Sequence, residues 1–165
     1  MTEQSGFKKA LHSEGPADDR AKHLELYGWL IGDWAMDATV HKDDGTTFKG
    51  SGEIHFGWVL QGRAIQDVWI LPGIFHGTTL RIYDPGLGAW HILWSDPLRQ
   101  VYTRQLGRAQ GDDIVQLGTR PDGHLLRWSF SEITRDSFLW RGEISTDQGI
   151  TWRINTEFTA RRQPT

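Results

Sequence analysis

The sequence predicts an all-β fold: an up-and-down antiparallel β-barrel of about ten strands behind a short N-terminal helix. Three observations point there. From Trp34 onward, hydrophobicity alternates with a period of two in one short segment after another. Turn-forming residues separate neighbouring segments, at a spacing of roughly 10 to 12 residues. One face of most segments is strongly apolar and takes up most of the nine tryptophans in the chain, while the alternate face is charged.

The elements follow in order. Residues 1–20 are charged and small, and are expected to form a loose, flexible arm. Residues 21–165 then form one domain. "AKHLELYGWLIG" places Leu24, Leu26, Tyr27, Leu30 and Ile31 at helical spacing and ends on Gly32, which reads as a short helix with a glycine stop. "WAMDATVH" is the first strand, and Asp44-Gly45 is a hairpin signal. "FKGSGEIHF" is the second, where Gly50 and Gly52 suggest the bend a barrel corner needs. "RAIQDVWIL" and "GTTLRIYD" follow, the latter closed by Asp84-Pro85-Gly86. "AWHILWS", "QVYTRQL" and "DIVQLGT" are strands five to seven, and Pro121-Asp122-Gly123 ends the seventh. "HLLRWSFSEI", "SFLWRGEIS" and "ITWRINTEFTARR" complete the ten.

A hairpin meander whose neighbours pair in order closes most simply into a barrel, because closure removes unpaired edges. The apolar faces would then point at the axis: Trp34 and Met36; Ile54 and Phe56; Trp90, Ile92 and Trp94; Trp128 and Phe130; Phe138 and Trp140; Trp152, Ile154 and Phe158. Asp37, Lys49, Glu53, Arg127, Arg141, Glu143, Arg153 and Glu157 would lie outside and pair across strands.

Composition removes several classes of function. The chain has no cysteine, hence no disulfide, thiolate metal site or cysteine nucleophile. Its net charge is −3, from 18 basic and 21 acidic residues, and no basic stripe suits nucleic acid. No apolar run approaches the ~20 residues of a membrane-spanning helix, and the N-terminus has no apolar signal core, so a soluble cytoplasmic protein is expected. The seven histidines show neither H-x-H nor H-x-x-x-H spacing, so no metal site is expected. Nucleophile elbows and phosphate-cradling glycine loops are missing as well, and no cofactor is expected.

"STDQGITW", Ser145 to Trp152, has the form of the aspartate box of β-propeller proteins. It occurs once, whereas a propeller repeats its blades. It therefore reads as the last hairpin: Asp147 holding the turn backbone, Gly149 at positive φ, Trp152 packing back on the sheet.

"GDW" at Gly32–Trp34, behind a short helix and opening the first strand, resembles the G-x-W signature of the calycin superfamily, which includes the lipocalins. In that superfamily a basic residue after the last strand stacks near this tryptophan, and Arg161 or Arg162 of "TARR" stands at the matching place. "RAIQDVW", "RIYDPGLGAWHILWSDP", "RWSFSEITRDSFLWRGEISTDQGITWR" and "EFTARR" are similar to bacterial lipocalin-like proteins of unknown function. The resemblance spans most of residues 24–162 and implies a calycin barrel, with no settled substrate. Nitrobindin, a calycin relative, holds haem through a late histidine. Here the last histidine is His124 and the opening is "GDWAMDA", so haem is not implied.

Two uses of such a barrel follow. The first is a carrier or sensor binding a small hydrophobic, probably aromatic, molecule between walls drawn from Trp34, Trp58, Trp69, Arg81, Tyr83, Trp90, Trp94, Tyr102, Arg104, Trp128 and Trp140. The alternative is a cofactor-independent isomerase, cyclase or lyase with acid–base groups among His55, Asp67, Tyr83, His91 and Glu143. A third reading is a homodimeric interaction module with a solid tryptophan core. Which faces of strands three, four and six point inward stays open at this stage. An inward Arg81 or Asp67 would need a partner, since unpaired buried charge costs several kcal/mol; Arg81, Arg104 and Arg141 would otherwise sit in cross-strand ion pairs outside.

Overall fold

The computed structural model describes residues 3–165; the first two residues of the expected arm lie outside it. Ten antiparallel strands form one closed barrel: β1 Gly32–His41, β2 Thr47–Val59, β3 Ala64–Leu71, β4 Phe75–Asp84, β5 Ala89–Asp96, β6 Val101–Gln110, β7 Asp113–Thr119, β8 Leu125–Ser131, β9 Ser137–Ser145 and β10 Arg153–Arg162. Each strand pairs with its chain neighbour, and β1 closes on β10 with Trp34 opposite Arg162 and Val40 opposite Thr156. Every strand read from the periodicity is present, with boundaries shifted by a few residues.

The segment expected as a loose arm carries structure. Helix α1, Gly6–Leu11, is capped by the Ser5 hydroxyl, which accepts from Lys8 N. His12 bridges to Val59, Ser13 N donates to Trp58 O at 3.0 Å and Ala17 N donates to Gly62 O at 3.0 Å. Asp19 receives Arg63 Nη1 on both oxygens, at 2.9 and 2.8 Å. The arm thus lies along the β2–β3 hairpin, held mostly by backbone groups that no side-chain pattern announces.

Helix α2, Ala21–Gly28, plugs one end of the barrel. Leu24 and Tyr27, one turn apart, are buried together with Leu30. The Tyr27 ring packs edge-on against Trp90 at 4.8 Å and Phe130 at 6.1 Å, and its hydroxyl donates to Gln116 Oε1 at 2.9 Å. Gly32 follows at φ +126°, and a Cβ there would meet Arg162 Nη1 at 3.1 Å. This glycine is therefore required both for its backbone angle and for space. Arg162 lies 4.3 Å over the Trp34 ring and donates to the carbonyls of Ile31 at 2.8 Å and Trp29 at 2.5 Å. Of the two terminal arginines, it is Arg162 that closes the base; Arg161 points outward to Asp37 at 2.9 Å.

The expected inward faces hold for nine strands, and one strand end departs. The pairing of β10 with β9 shifts between Ile154 and Thr156. This bulge puts Ile154 opposite the outward Glu143 instead of on the axis. Trp152 likewise lies outside, with the Arg127 guanidinium 4.1 Å over its ring.

The last hairpin matches its reading. Asp147 Oδ1 accepts from Thr151 N at 2.8 Å and from Ser145 Oγ at 2.8 Å, and Gly149 sits at φ +90°. The Thr151 hydroxyl, with the Thr151 amide and Ser145, holds the Asp147 carboxyl down to about 2. A carboxylate depressed on folding stabilises above its ordinary value of 3.8 and loses that contribution as pH falls toward about 2. In thermal melts, Asp147→Ala should lower Tm near neutrality, and the gap to the parent chain should close as the pH falls through that window. A gap that does not depend on pH would contradict this assignment.

Candidate functional site

The open end of the barrel holds a cavity of about 630 Å³, within the range usual for small-molecule sites. It extends down from the loops at 42–46, 72–74, 97–100, 120–124 and 146–152, and its floor lies above the α2 plug. Six aromatic rings lining it form a closed circuit of neighbours. Trp69 lies 5.7 Å from Trp140, Trp140 5.5 Å from Trp128, and Trp128 6.4 Å from Trp94. Trp94 lies 6.0 Å from Phe75, Phe75 5.9 Å from Phe158, and Phe158 5.5 Å from Trp69. Flat faces at these separations stabilise one another by about 0.5–1.5 kcal/mol per pair, and they present a flat apolar surface to an occupant.

Strands β3, β4 and β6, undecided by sequence, resolve by register. Asp67 shares the inward face of β3 with Ile65 and Trp69, and Arg81 shares that of β4 with Phe75 and Thr79. Both are 1% exposed. Arg81 Nη1 donates to Asp67 Oδ2, and Thr79 N donates to Asp67 Oδ1 at 2.8 Å. Arg81 therefore does not sit in an outer ion pair. Burial pulls its guanidinium down to about 10, so it remains a cation at neutral pH. Its central carbon also lies 5.3 to 5.8 Å from the Tyr27, Phe56 and Phe130 rings, so it separates the cavity from the plugged end. On β6 the inward residues are Thr103, opposite Trp94, and Gln105, opposite Ile92.

Of the proposed wall residues, Trp69, Arg81, Trp94, Trp128 and Trp140 line the cavity. Tyr102 reaches only its rim, with a side chain 56% exposed that donates to Gln100 Oε1. Trp34, Trp58, Tyr83 and Trp90 belong to the plugged end. Tyr83 stacks on His23 at 4.4 Å, Trp90 packs on Tyr27, and the Trp58 ring lies against Gly28. Arg104 is outside, where Nη2 donates to His91 Nδ1 at 3.2 Å. Phe75, Thr79, Thr103 and Phe158 were missed as wall residues.

The five acid–base candidates do not converge. His55 is on the outer face, with Nδ1 2.6 Å from Asp33 Oδ1 and Nε2 3.3 Å from Glu53 Oε2; the Asp33 hydrogen bond raises its pKa. His91 Nε2 lies 2.8 Å from Asp84 Oδ2, also outside. Glu143 accepts two bonds from Arg127, at 3.0 and 2.8 Å. Tyr83 is at the plugged end. Asp67 alone is inside beside the cavity, and both its oxygens are engaged. Among the described residues, no cluster of His, Asp or Glu is set to hold a metal ion, and no helix is long and apolar enough to cross a membrane.

Gly77 gives the Trp94 ring its place in the wall. A Cβ there would meet Trp94 Cζ2 at 2.6 Å and Ser95 O at 2.7 Å. Gly77→Ala should destabilise the barrel by about 1–3 kcal/mol and push the indole into the cavity. Chemical denaturation and a Trp94-sensitive fluorescence spectrum check this; an unchanged midpoint and spectrum would contradict it.

No protein-family model matches this sequence, and no curated protein matches it. Among solved structures, the fold is similar to that of Rv2717c from M. tuberculosis, with a TM-score of 0.60 at 16% identity, covering 86% of this chain and 97% of that one. It is also similar to the S-type phycobiliprotein lyase CPES from Guillardia theta, with a TM-score of 0.63 at 14% identity, covering 86% and 92%. A Nostoc punctiforme protein of unknown function from the DUF3598 family matches with a TM-score of 0.54 at 18% identity over 82% of this chain; the match spans 48% of that longer chain. At these identities the likeness is one of fold: a lipocalin-like ten-stranded barrel.

Proposed function

We propose that this chain is a carrier or sensor for a small, flat, largely apolar molecule, held in the open half of the barrel. The observation that carries the reading is the circuit of Trp69, Trp140, Trp128, Trp94, Phe75 and Phe158 around a cavity of about 630 Å³. A core of indoles meant only for packing would fill that space, because protein interiors close-pack. The enzyme reading has less support, since His55, His91 and Glu143 face away from the cavity and Asp67 is committed to Arg81 and Thr79. The Gly32–Trp34 signature with Arg162 over Trp34 supports placing the chain in the calycin superfamily, and a cysteine-free chain fits a cytoplasmic protein.

The test is a titration with N-phenyl-1-naphthylamine, a neutral flat fluorophore. Saturable one-to-one binding with energy transfer from tryptophan is expected. Trp140→Ala should weaken it by about two- to tenfold, the loss of one aromatic contact, while Trp152→Ala on the outer face should leave it unchanged. Trp128→Ala, at a half-buried position, serves if the Trp140 variant melts without cooperativity. The absence of saturable binding by the parent chain would contradict the proposal.

A further inference from the structure

Four buried side-chain polar atoms have no hydrogen-bond partner among the described residues: Trp69 Nε1, Arg81 Nε, Thr103 Oγ1 and Gln105 Nε2. They share three properties. All sit on the wall formed by β3, β4 and β6, and none lies on β7–β10, β1 or β2. All belong to inward-facing residues, and Trp69, Arg81 and Thr103 line the cavity itself. Finally, the indole, guanidinium and amide nitrogens only donate, and the threonine hydroxyl is able to. Donors do not satisfy one another, so the wall lacks acceptors. Buried polar groups without partners are rare in native proteins, and such a group calls for an explanation.

Resting on the binding function proposed above, we infer that the ligand carries a neutral carbonyl oxygen directed at this donor wall, with its flat apolar body among the indoles. An oxygen of this type accepts two hydrogen bonds. Two observations favour a carbonyl over a carboxylate. The only buried cation at the floor, Arg81, already holds Asp67, and a second carboxylate beside that one would be repelled in a poorly solvated site. At the mouth, Arg99, Arg120 and Arg153 are paired with Asp96, Asp122 and Asp43, which leaves little positive field to draw in an anion. The ligand class is thus a conjugated ketone, quinone, amide or lactam rather than an aromatic acid or a hydrocarbon.

Three probes built on one ring separate these classes: 2-acetylnaphthalene, 2-ethylnaphthalene and 2-naphthoate, each titrated into the full chain by tryptophan quenching. The comparison is made in the parent chain and in the double variant Trp69→Phe, Thr103→Val, which removes two donors and keeps the shape. The affinity of the ketone relative to the ethyl compound should fall about tenfold in the variant, the effect of roughly two hydrogen bonds, and the ethyl compound's own affinity should not change. Independently of any variant, the carbonyl stretch of bound 2-acetylnaphthalene should lie below its position in hexane, as in a hydrogen-bonding solvent. A ketone-to-ethyl ratio equal in both proteins, a hexane-like stretch, or naphthoate binding tightest would overturn the inference and leave the cavity's binding role standing. If none of the three binds, the binding role fails and the inference fails with it.

Discussion

Asp67→Asn is expected to destabilise the barrel by about 3–5 kcal/mol, among the largest single effects in the chain, because it leaves a buried guanidinium without its counter-charge. Asp67 and Arg81 are each 1% exposed, and no other carboxylate pairs with Arg81. The cost arises from the orphaned charge and not from the strength of the pair. The double variant Asp67→Leu, Arg81→Met should therefore recover most of the loss, since a buried ion pair exchanged for apolar residues of similar volume is often neutral or stabilising. Urea denaturation of both single variants and the double variant forms the cycle. Additive losses in the double variant would contradict an interior pair.

Tyr27→Ala should cost about 3–5 kcal/mol, the range for removing a fully buried ring. Tyr27 is 0% exposed and holds α2 in the barrel end through Trp90, Phe130 and the Gln116 side chain. Tyr27→Phe separates the ring from its hydroxyl: it keeps the packing and strands Gln116 Oε1, for an expected loss of about 1–3 kcal/mol. Equal losses from the two variants would mean that the hydroxyl, and not the ring, secures the plug. Hydrogen exchange of α2 amides should rise in the alanine variant before that of the strands.

The architecture was legible wherever a strand kept one strongly apolar face. β1, β2, β5, β8 and β9 each carry bulky residues at alternate positions, so their inward faces followed directly. The G-x-W stretch foretold a basic residue near Trp34, and the structure selects Arg162 from two neighbours. On β4 the pattern misleads, because Thr79 and Arg81 face in while Leu80 and Ile82 face out. An interior ion pair writes one polar residue into each of two strands, and neither strand names the other. β6 was legible in principle: the four-residue turn at 97–100 puts Thr103 opposite Trp94, which excludes Tyr102 and Arg104 from the axis. The bulge at Ile154–Thr156 had no such signal, and it carried Trp152 and Ile154 to the outer face. The split of the tryptophans between the plugged end and the cavity depends on the depth at which α2 stops, which is a tertiary property.

The central claim, that the indole-lined half of the barrel receives a ligand, is tested most directly by the indole N–H resonances of the nine tryptophans during titration with 2-acetylnaphthalene. Saturable shifts are predicted for Trp69, Trp94, Trp128 and Trp140, with Trp29, Trp34, Trp58, Trp90 and Trp152 unmoved. Shifts centred on the latter group, or no saturable shift at all, would contradict the account.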